Sequence, residues 1–200
     1  MDDAGTDMQI VPLTSERMGD LATLFGQGGD PKWCWCSFFR LRNSGFVGAS
    51  AETNRAVMER AVESTAAEKR APGLVAYRGG EPIGWVSVGP RHDYERLQHS
   101  KVLGPIDDRP AWSIVCFVVS RRARRQGVAR ALLDAAVEYA AEHGATLLEA
   151  YPVDTHGERI ASANLYKGSL AMFERAGFEV AARRQHNRTT PVHQVVRREL

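Results

Sequence analysis

Apolar and polar positions along this chain alternate in short blocks punctuated by glycine and proline, and the period within each block predicts an element. Residues 8–13 read as an opening strand, and Thr14-Ser15-Glu16 supply capping groups for a short helix that reaches Leu24-Phe25 and stops at Gly26. Residues 26–50 lose any period. Their Trp33-Cys34-Trp35-Cys36 and Phe38-Phe39-Arg40 runs make a loop too apolar to lie in water, so it is expected to pack over something. A helix is predicted over 51–69, ended by Ala71-Pro72-Gly73. Residues 74–77 and 82–88 form a predicted β-hairpin, with Gly79-Gly80 supplying the positive φ of its turn. Residues 89–110 read as a long loop, and 112–119 as a strand apolar enough to be buried on both faces.

The helical period is clearest over 127–143, where Val128, Leu132, Ala135, Ala136 and Tyr139 share one stripe and Gly144 ends the run. A strand over 146–151 follows at once, so strand, helix and strand suggest a crossover between near-parallel neighbours. A polar loop at 152–158, a helix at 163–175 and strands at 178–181 and 191–198 complete the pattern. The class is mixed α/β, read as a single domain over 1–200 with no linker.

Composition narrows the function. With 200 residues, 44% of them hydrophobic, the chain is long enough for a full core. Twenty-six Lys and Arg against 24 Asp and Glu leave a net charge of +2, which excludes a globally electrostatic nucleic-acid or membrane-surface binder. Any charge-based function must therefore be local. Three cysteines are too few, and odd in number, for a secreted disulfide framework. The acidic opening lacks the basic start of a secretory signal, and no apolar run approaches the ~20 residues of a membrane helix, so the expected address is cytoplasmic. Cys34-x-Cys36 lacks further ligands at metal-site spacing, so no metal is expected, and Cys116 reads as a small core residue. The isolated histidines, His156 among them, read as surface groups.

The candidate chemistry lies between the buried strand and the long helix, in Val119-Ser120-Arg121-Arg122-Ala123-Arg124-Arg125-Gln126-Gly127-Val128-Ala129. A helix N-terminus presents backbone N–H groups with no partner inside the helix and a partial positive charge, a ready site for phosphate. Gly127 permits close approach, Ala129 keeps the first turn thin, and Arg124 and Arg125 add charge, so a pyrophosphate suits this turn. Neither the Walker nor the Rossmann glycine pattern is present. A solvated charge cluster or a nucleic-acid patch is the competing reading of the arginines. The glycine that opens a strong helix favours phosphate.

Arg124-x-x-Gly127-x-Ala129 after an apolar strand resembles the acyl-CoA-binding motif of the GNAT superfamily of N-acyltransferases. The order strand, motif, long helix, strand and helix, closing in Met172-Phe173-Glu174-Arg175-Ala176-Gly177-Phe178, is similar to that superfamily's core from about 112 to 180. The resemblance implies a twisted mixed sheet of six or seven strands flanked by helices, with acetyl-CoA as co-substrate. By position it implies that Phe117, Val118 and Val119 bind the pantetheine arm, and that Arg124, Arg125, Gln126, Gly127, Val128, Ala129 and Arg130 hold the pyrophosphate. It implies direct attack of an amine, on a small molecule or a protein, without a covalent enzyme intermediate. The family's usual tyrosine acid aligns with Phe173, which carries no proton. Tyr166, expected on the same helix, is the candidate acid, and Glu149, on the strand expected beside the cofactor, is the candidate base. Trp33, Trp35 and Arg40, with Tyr94 of the long loop, are candidates for the acceptor side. Against this enzyme, acting as a monomer or homodimer without nucleic-acid or membrane partners, stand a non-catalytic acyl-CoA sensor and an RNA binder. The RNA binder would use Arg121 to Arg125 with Arg183, Arg184, Arg188, Arg197 and Arg198.

Overall fold

A computed structural model describes residues 8–158 and 160–200. Seven strands form one sheet: β1 (Met8–Pro12), β2 (Gly73–Arg78), β3 (Glu81–Pro90), β4 (Trp112–Val119), β5 (Leu147–Ala150), β6 (Glu179–Arg184) and β7 (His193–Glu199). Their order is β1-β2-β3-β4-β5-β7-β6, and every neighbouring pair is antiparallel except β4 and β5. The parallel exception is the crossover predicted from the strand, helix and strand spacing. The fold is thus the expected mixed α/β class.

Helices α1 (Met18–Gly26) and α4 (Ala51–Ala67) cover one face of the sheet, while α6 (Val128–Glu142) and α7 (Leu170–Glu174) cover the other. Strand alternation supplies the inner residue of each layer: Val75 and Trp85 pack with Leu21, Phe25 and Met58, whereas Leu74 and Val86 pack with Leu132 and Phe173. The two segments expected as loops carry short helices. Residues 26–50 hold α2 (Pro31–Cys34) and α3 (Asn43–Phe46), and 89–110 hold α5 (Glu95–His99) after a 3-10 turn at Arg91–Asp93. Helices of four or five residues are too short for a period of 3.6 to register in sequence.

Two features open the sheet beside β4. Parallel pairing joins only Trp112, Ser113 and Ile114 to Leu148, Glu149 and Ala150. Immediately beyond, the register with β3 slips so that Ser87 faces Cys116 and Val88 faces Ile114, leaving Val115 as an extra residue. Such a bulge bends its strand, and here it sends Val115 and Cys116 to the same face. β4 and β5 then part. The helix expected over 163–175 is also broken, into a 3-10 turn at Ser162–Leu165 and α7. Between them Gly168 adopts φ +79°, and a Cβ there would stand 2.7 Å from Met172 Cε and 2.8 Å from Phe173 Cε2. Tyr166 therefore does not share a helix with Phe173. It lies instead in the gap between the parted strands, where its carbonyl accepts the Phe117 N–H at 2.6 Å.

Candidate active site

The phosphate-type turn begins where β4 ends. Ser120 N–H donates to the Ile83 carbonyl at 2.9 Å, so in an alternating strand Val118 also faces β3, while Phe117 and Val119 turn their backbone groups toward the gap. A 3-10 turn at Arg121–Ala123 follows, then Arg125 at φ +61° and Gly127 at φ +80°. α6 makes its first internal bond from Ala131 N–H to the Gly127 carbonyl, at 3.0 Å, and no side chain caps it. The N–H groups of Val128, Ala129 and Arg130 consequently have no acceptor inside the helix. Gly127 is required for its positive φ, because a Cβ there would meet nothing within 4 Å.

Gly84 of β3 fixes the depth at which α6 sits. A Cβ on it would lie 2.7 Å from Val128 Cγ1 and 2.9 Å from Leu132 Cδ1, so its absence lets the first turn of α6 rest on the sheet. Val128 is buried there and offers only its backbone to the turn. The Arg130 guanidinium is engaged with Asp134 and the Arg175 carbonyl, so Arg130 likewise presents its N–H alone. Gln126 accepts from Arg78 and donates to the Arg122 carbonyl, Arg124 Nε donates to the Val119 carbonyl, and Arg125 is exposed at the rim.

A cleft of about 600 Å³ runs from this turn along the open edge of β4. Phe117, Val118, Val119 and Ala129 line one side and Tyr166, Gly168, Ser169 and Met172 the other. Trp33, Cys34, Phe38 and Phe46 close the end remote from α6. Burial pushes the Tyr166 hydroxyl up to about 12, with the thiols of Cys116 and Cys34 adding to the shift, so it remains protonated at neutral pH. Phe173 is fully buried, 6.1 Å from the Phe117 ring and 5.1 Å from that of Phe178, and belongs to the core.

Four residues expected at the site lie elsewhere. Glu149 sits opposite Ser113, in the closed half of the β4–β5 pair, and does not line the cleft. It is 1% exposed, with Arg91 Nη1 3.1 Å from Oε2, Arg197 Nη2 2.7 Å from Oε1 and the Tyr151 hydroxyl also donating to it. Both oxygens are occupied, so this carboxylate is an internal counterion rather than a base open to an amine. Trp35 turns inward at φ +46° and packs edge-on against Phe25 at 5.3 Å. Tyr94 is fully buried with its hydroxyl 3.1 Å from that of Ser87, and the Arg40 guanidinium lies 4.8 Å from the Tyr94 ring with Nη2 on the Pro72 carbonyl. Only Trp33 of the acceptor candidates borders the cleft, 41% exposed and 4.9 Å from Phe46. Loop residues this large are distributed between core and cleft by tertiary contacts, and no local period distinguishes them.

Three arginines of the RNA reading are engaged within the fold. Arg184 donates to the carbonyls of Gly104 and Pro105, Arg198 to that of Ala176, and Arg197 is bound by Asp107 and Glu149. Sequence reasoning missed the thiols. Cys34, Cys36 and Cys116 all line the cleft, and Cys36 Sγ lies 2.9 Å from Cys116 Sγ across 80 residues of chain. Nothing local signals that pairing, which depends on the β4 bulge. Among the described residues no group of three or more His, Cys, Asp or Glu is arranged to hold a metal ion, and no helix is long and apolar enough to cross a membrane.

The acetyltransferase (GNAT) family model matches residues 35–178, spanning β2 to β5, the phosphate-type turn and both sides of the cleft. The chain belongs to the GNAT acetyltransferase family. This GNAT protein is accordingly an acyltransferase enzyme. Its fold is similar to that of ribosomal-protein-alanine N-acetyltransferase from Brucella melitensis, at 19% identity and TM-score 0.58, over 96% of this chain and 99% of that one. It is also similar to yncA from Salmonella typhimurium, described with its cofactor acetyl-CoA, at 15% identity and TM-score 0.57, over 97% and 94% of the two chains. Against curated proteins the chain finds no match.

Proposed function

We propose that this GNAT enzyme transfers an acetyl group from acetyl-CoA to the amine of a small acceptor with an apolar body, within a ternary complex. The observation that carries the reading is the continuity of the open N-terminal turn of α6 with a cleft along the unpaired edge of β4. Three N–H groups at the positive end of a fifteen-residue helix, beside Arg124 and Arg125, fit a pyrophosphate. Of the outward backbone groups, the Phe117 N–H is held by the Tyr166 carbonyl and the Val119 carbonyl by Arg124, and the Phe117 carbonyl and Val119 N–H remain to meet an amide-bearing arm. Acetyl-CoA, when bound, supplies the activated thioester.

The chain's own groups then divide the work. The turn from Arg124 to Arg130 anchors the diphosphate and sets how far the arm reaches. The Val119 N–H, turned to the cleft, donates to the carbonyl oxygen as negative charge develops there. Tyr166, still protonated at neutral pH, gives its proton to the departing sulfur. Trp33, Phe38 and Phe46 hold the acceptor's apolar body and exclude water from the attacking amine. Glu149 has no part in this reading: the acceptor attacks as its neutral amine, and the proton it loses on forming the amide returns to the Tyr166 phenolate, so amine and thioester give amide and free thiol with the enzyme restored.

Calorimetric titration with acetyl-CoA, with free CoA and a Gly127→Glu variant as comparators, tests the site. Micromolar binding that disappears in the variant is the expected result, and no binding at millimolar acetyl-CoA overturns the reading. Thiol release on adding benzylamine then separates an enzyme from a sensor, which would bind acetyl-CoA and release nothing.

A further inference from the structure

All three cysteines of the chain line the cleft, although two of them lie in a loop and the third 80 residues beyond Cys36 in a strand. Cys36 follows α2 at φ +52°, the second of two consecutive left-handed residues, and this turn carries its side chain inward. The turn is held in place by Asn54 of α4, which donates to the Trp33 carbonyl and accepts the Ser37 hydroxyl proton at 2.6 Å. From the other side, the bulge at Val115 directs Cys116 to the same face. The two sulfur atoms are thus fixed 2.9 Å apart by two independent backbone irregularities.

From this geometry we infer that Cys36 and Cys116 are a dithiol oxidation site, closing to a disulfide within the cleft and tying the acceptor wall to the cofactor strand. A disulfide needs about 2.0 Å between sulfurs, so closure moves them by less than 1 Å and leaves the sheet register intact. The oxidant is a peroxide. One thiolate attacks a peroxide oxygen to give a sulfenic acid and one water, and the second thiol displaces a second water from that sulfur. In sum, two thiols and one hydrogen peroxide give one disulfide and two waters, with two electrons passing from sulfur to oxygen.

Location determines the kinetics. Cys36 and Cys116 are 2% and 5% exposed, and both border the cleft, so the oxidant reaches them through it. Burial, together with the Cys116 partner, holds the Cys36 thiol well above its ordinary pKa, so closure is slow at neutral pH and quickens as pH rises. Burial also pushes the more exposed Cys34 up to about 12, so Cys34 gains no advantage from its position at the cleft wall. The 81-residue loop enclosed by residues 36 and 116 makes the cross-link strongly restrictive of the unfolded chain.

The test is peroxide treatment of the purified full-length protein at pH 8.5, with peptide mapping by mass spectrometry under non-reducing conditions. A Cys36–Cys116 cross-link with loss of two hydrogens, reversed by dithiothreitol and formed equally in Cys34→Ser, is the expected result. The oxidised form should melt about 10 °C higher than the reduced form. Saturating acetyl-CoA should slow closure at least fivefold. Cross-links from Cys34 to either partner, or Cys34 sulfinic acid without a Cys36–Cys116 bond, overturn the inference. The protection arm rests on the proposed cofactor site, so acetyl-CoA binding to the reduced protein is measured first. If binding is absent, the functional reading fails and the mapped cross-link alone judges the dithiol; if binding is present without protection, access through the cleft is refuted.

Discussion

At the scale of single residues, the hydroxyl of Tyr166 is the group on which catalysis depends in the proposed reading. Tyr166→Phe removes one oxygen from a half-buried ring that stands 6.4 Å from Phe39, so the wall keeps its shape. The expected outcome is a fall in kcat of ~100-fold, with calorimetric acetyl-CoA affinity unchanged. Because its pKa lies near 12, the wild-type rate should show no loss of a protonated acid between pH 7 and pH 9, and a fall within that range would assign the proton to another group. Tyr166 was legible in the sequence as a candidate, but for an incorrect reason. It reaches the cleft because the 3-10 turn ends at Leu165 and the left-handed Gly168 separates it from α7, which leaves Tyr166 between the parted strands, not because it shares a helix with Phe173.

At the scale of elements, the geometry of the proposed pyrophosphate turn belongs to α6 seated on β3. Gly84→Ala sets a methyl group 2.7 Å from Val128 Cγ1, and the helix must rise or its first turn must shift. The expected cost is about 1–3 kcal/mol in urea denaturation. Acetyl-CoA affinity should fall further than the same loss of stability produces at a position remote from α6. Gly127→Asn is the milder change, since asparagine tolerates the left-handed region and no neighbour lies within 4 Å of a Cβ there. Both helix α6 and strand β4 were legible from their periods, to within a residue at each end. The break between the 3-10 turn and α7 was not, because 163–175 keeps an apolar stripe across it.

At the scale of the whole molecule, an ion-pair network ties β5 and β7 to the segment before β4. Glu149 joins Arg91 to Arg197, Arg197 reaches Asp107 at 2.6 Å, and Arg109 reaches Glu199 at 2.7 Å. Glu149→Ala leaves two largely buried guanidinium groups facing a void, at a cost of about 3–5 kcal/mol. Its signature should be a lower denaturation midpoint with acetyl-CoA affinity preserved in the folded fraction, whereas a general base would lose kcat at unchanged stability. The Arg197 guanidinium holds the Asp107 carboxyl down to about 2, below its unfolded value. A depressed carboxylate stabilises the fold above its unfolded pKa of roughly 4 and loses that contribution as pH falls toward 2. Thermal melts from pH 5 to pH 2 should therefore fall less steeply in Asp107→Asn than in the parent, and added salt should narrow the difference because the Asp107 carboxylate faces solvent.

The sequence by itself determined the class, the order of the long elements and the position of the glycine-and-arginine turn proposed to take the pyrophosphate. Each of these is written locally: in a period of 2 or 3.6, in Gly127 at a helix start, and in arginines beside it. Only the tertiary structure decided which groups meet. The bulge at Val115 and the short parallel contact of β4 with β5 opened the cleft, withdrew Glu149 into an ion-pair network and aimed Cys116 at Cys36. The physical reason is that register and strand divergence are set by packing between distant segments, and a residue's neighbours across 80 positions leave no trace in its own period.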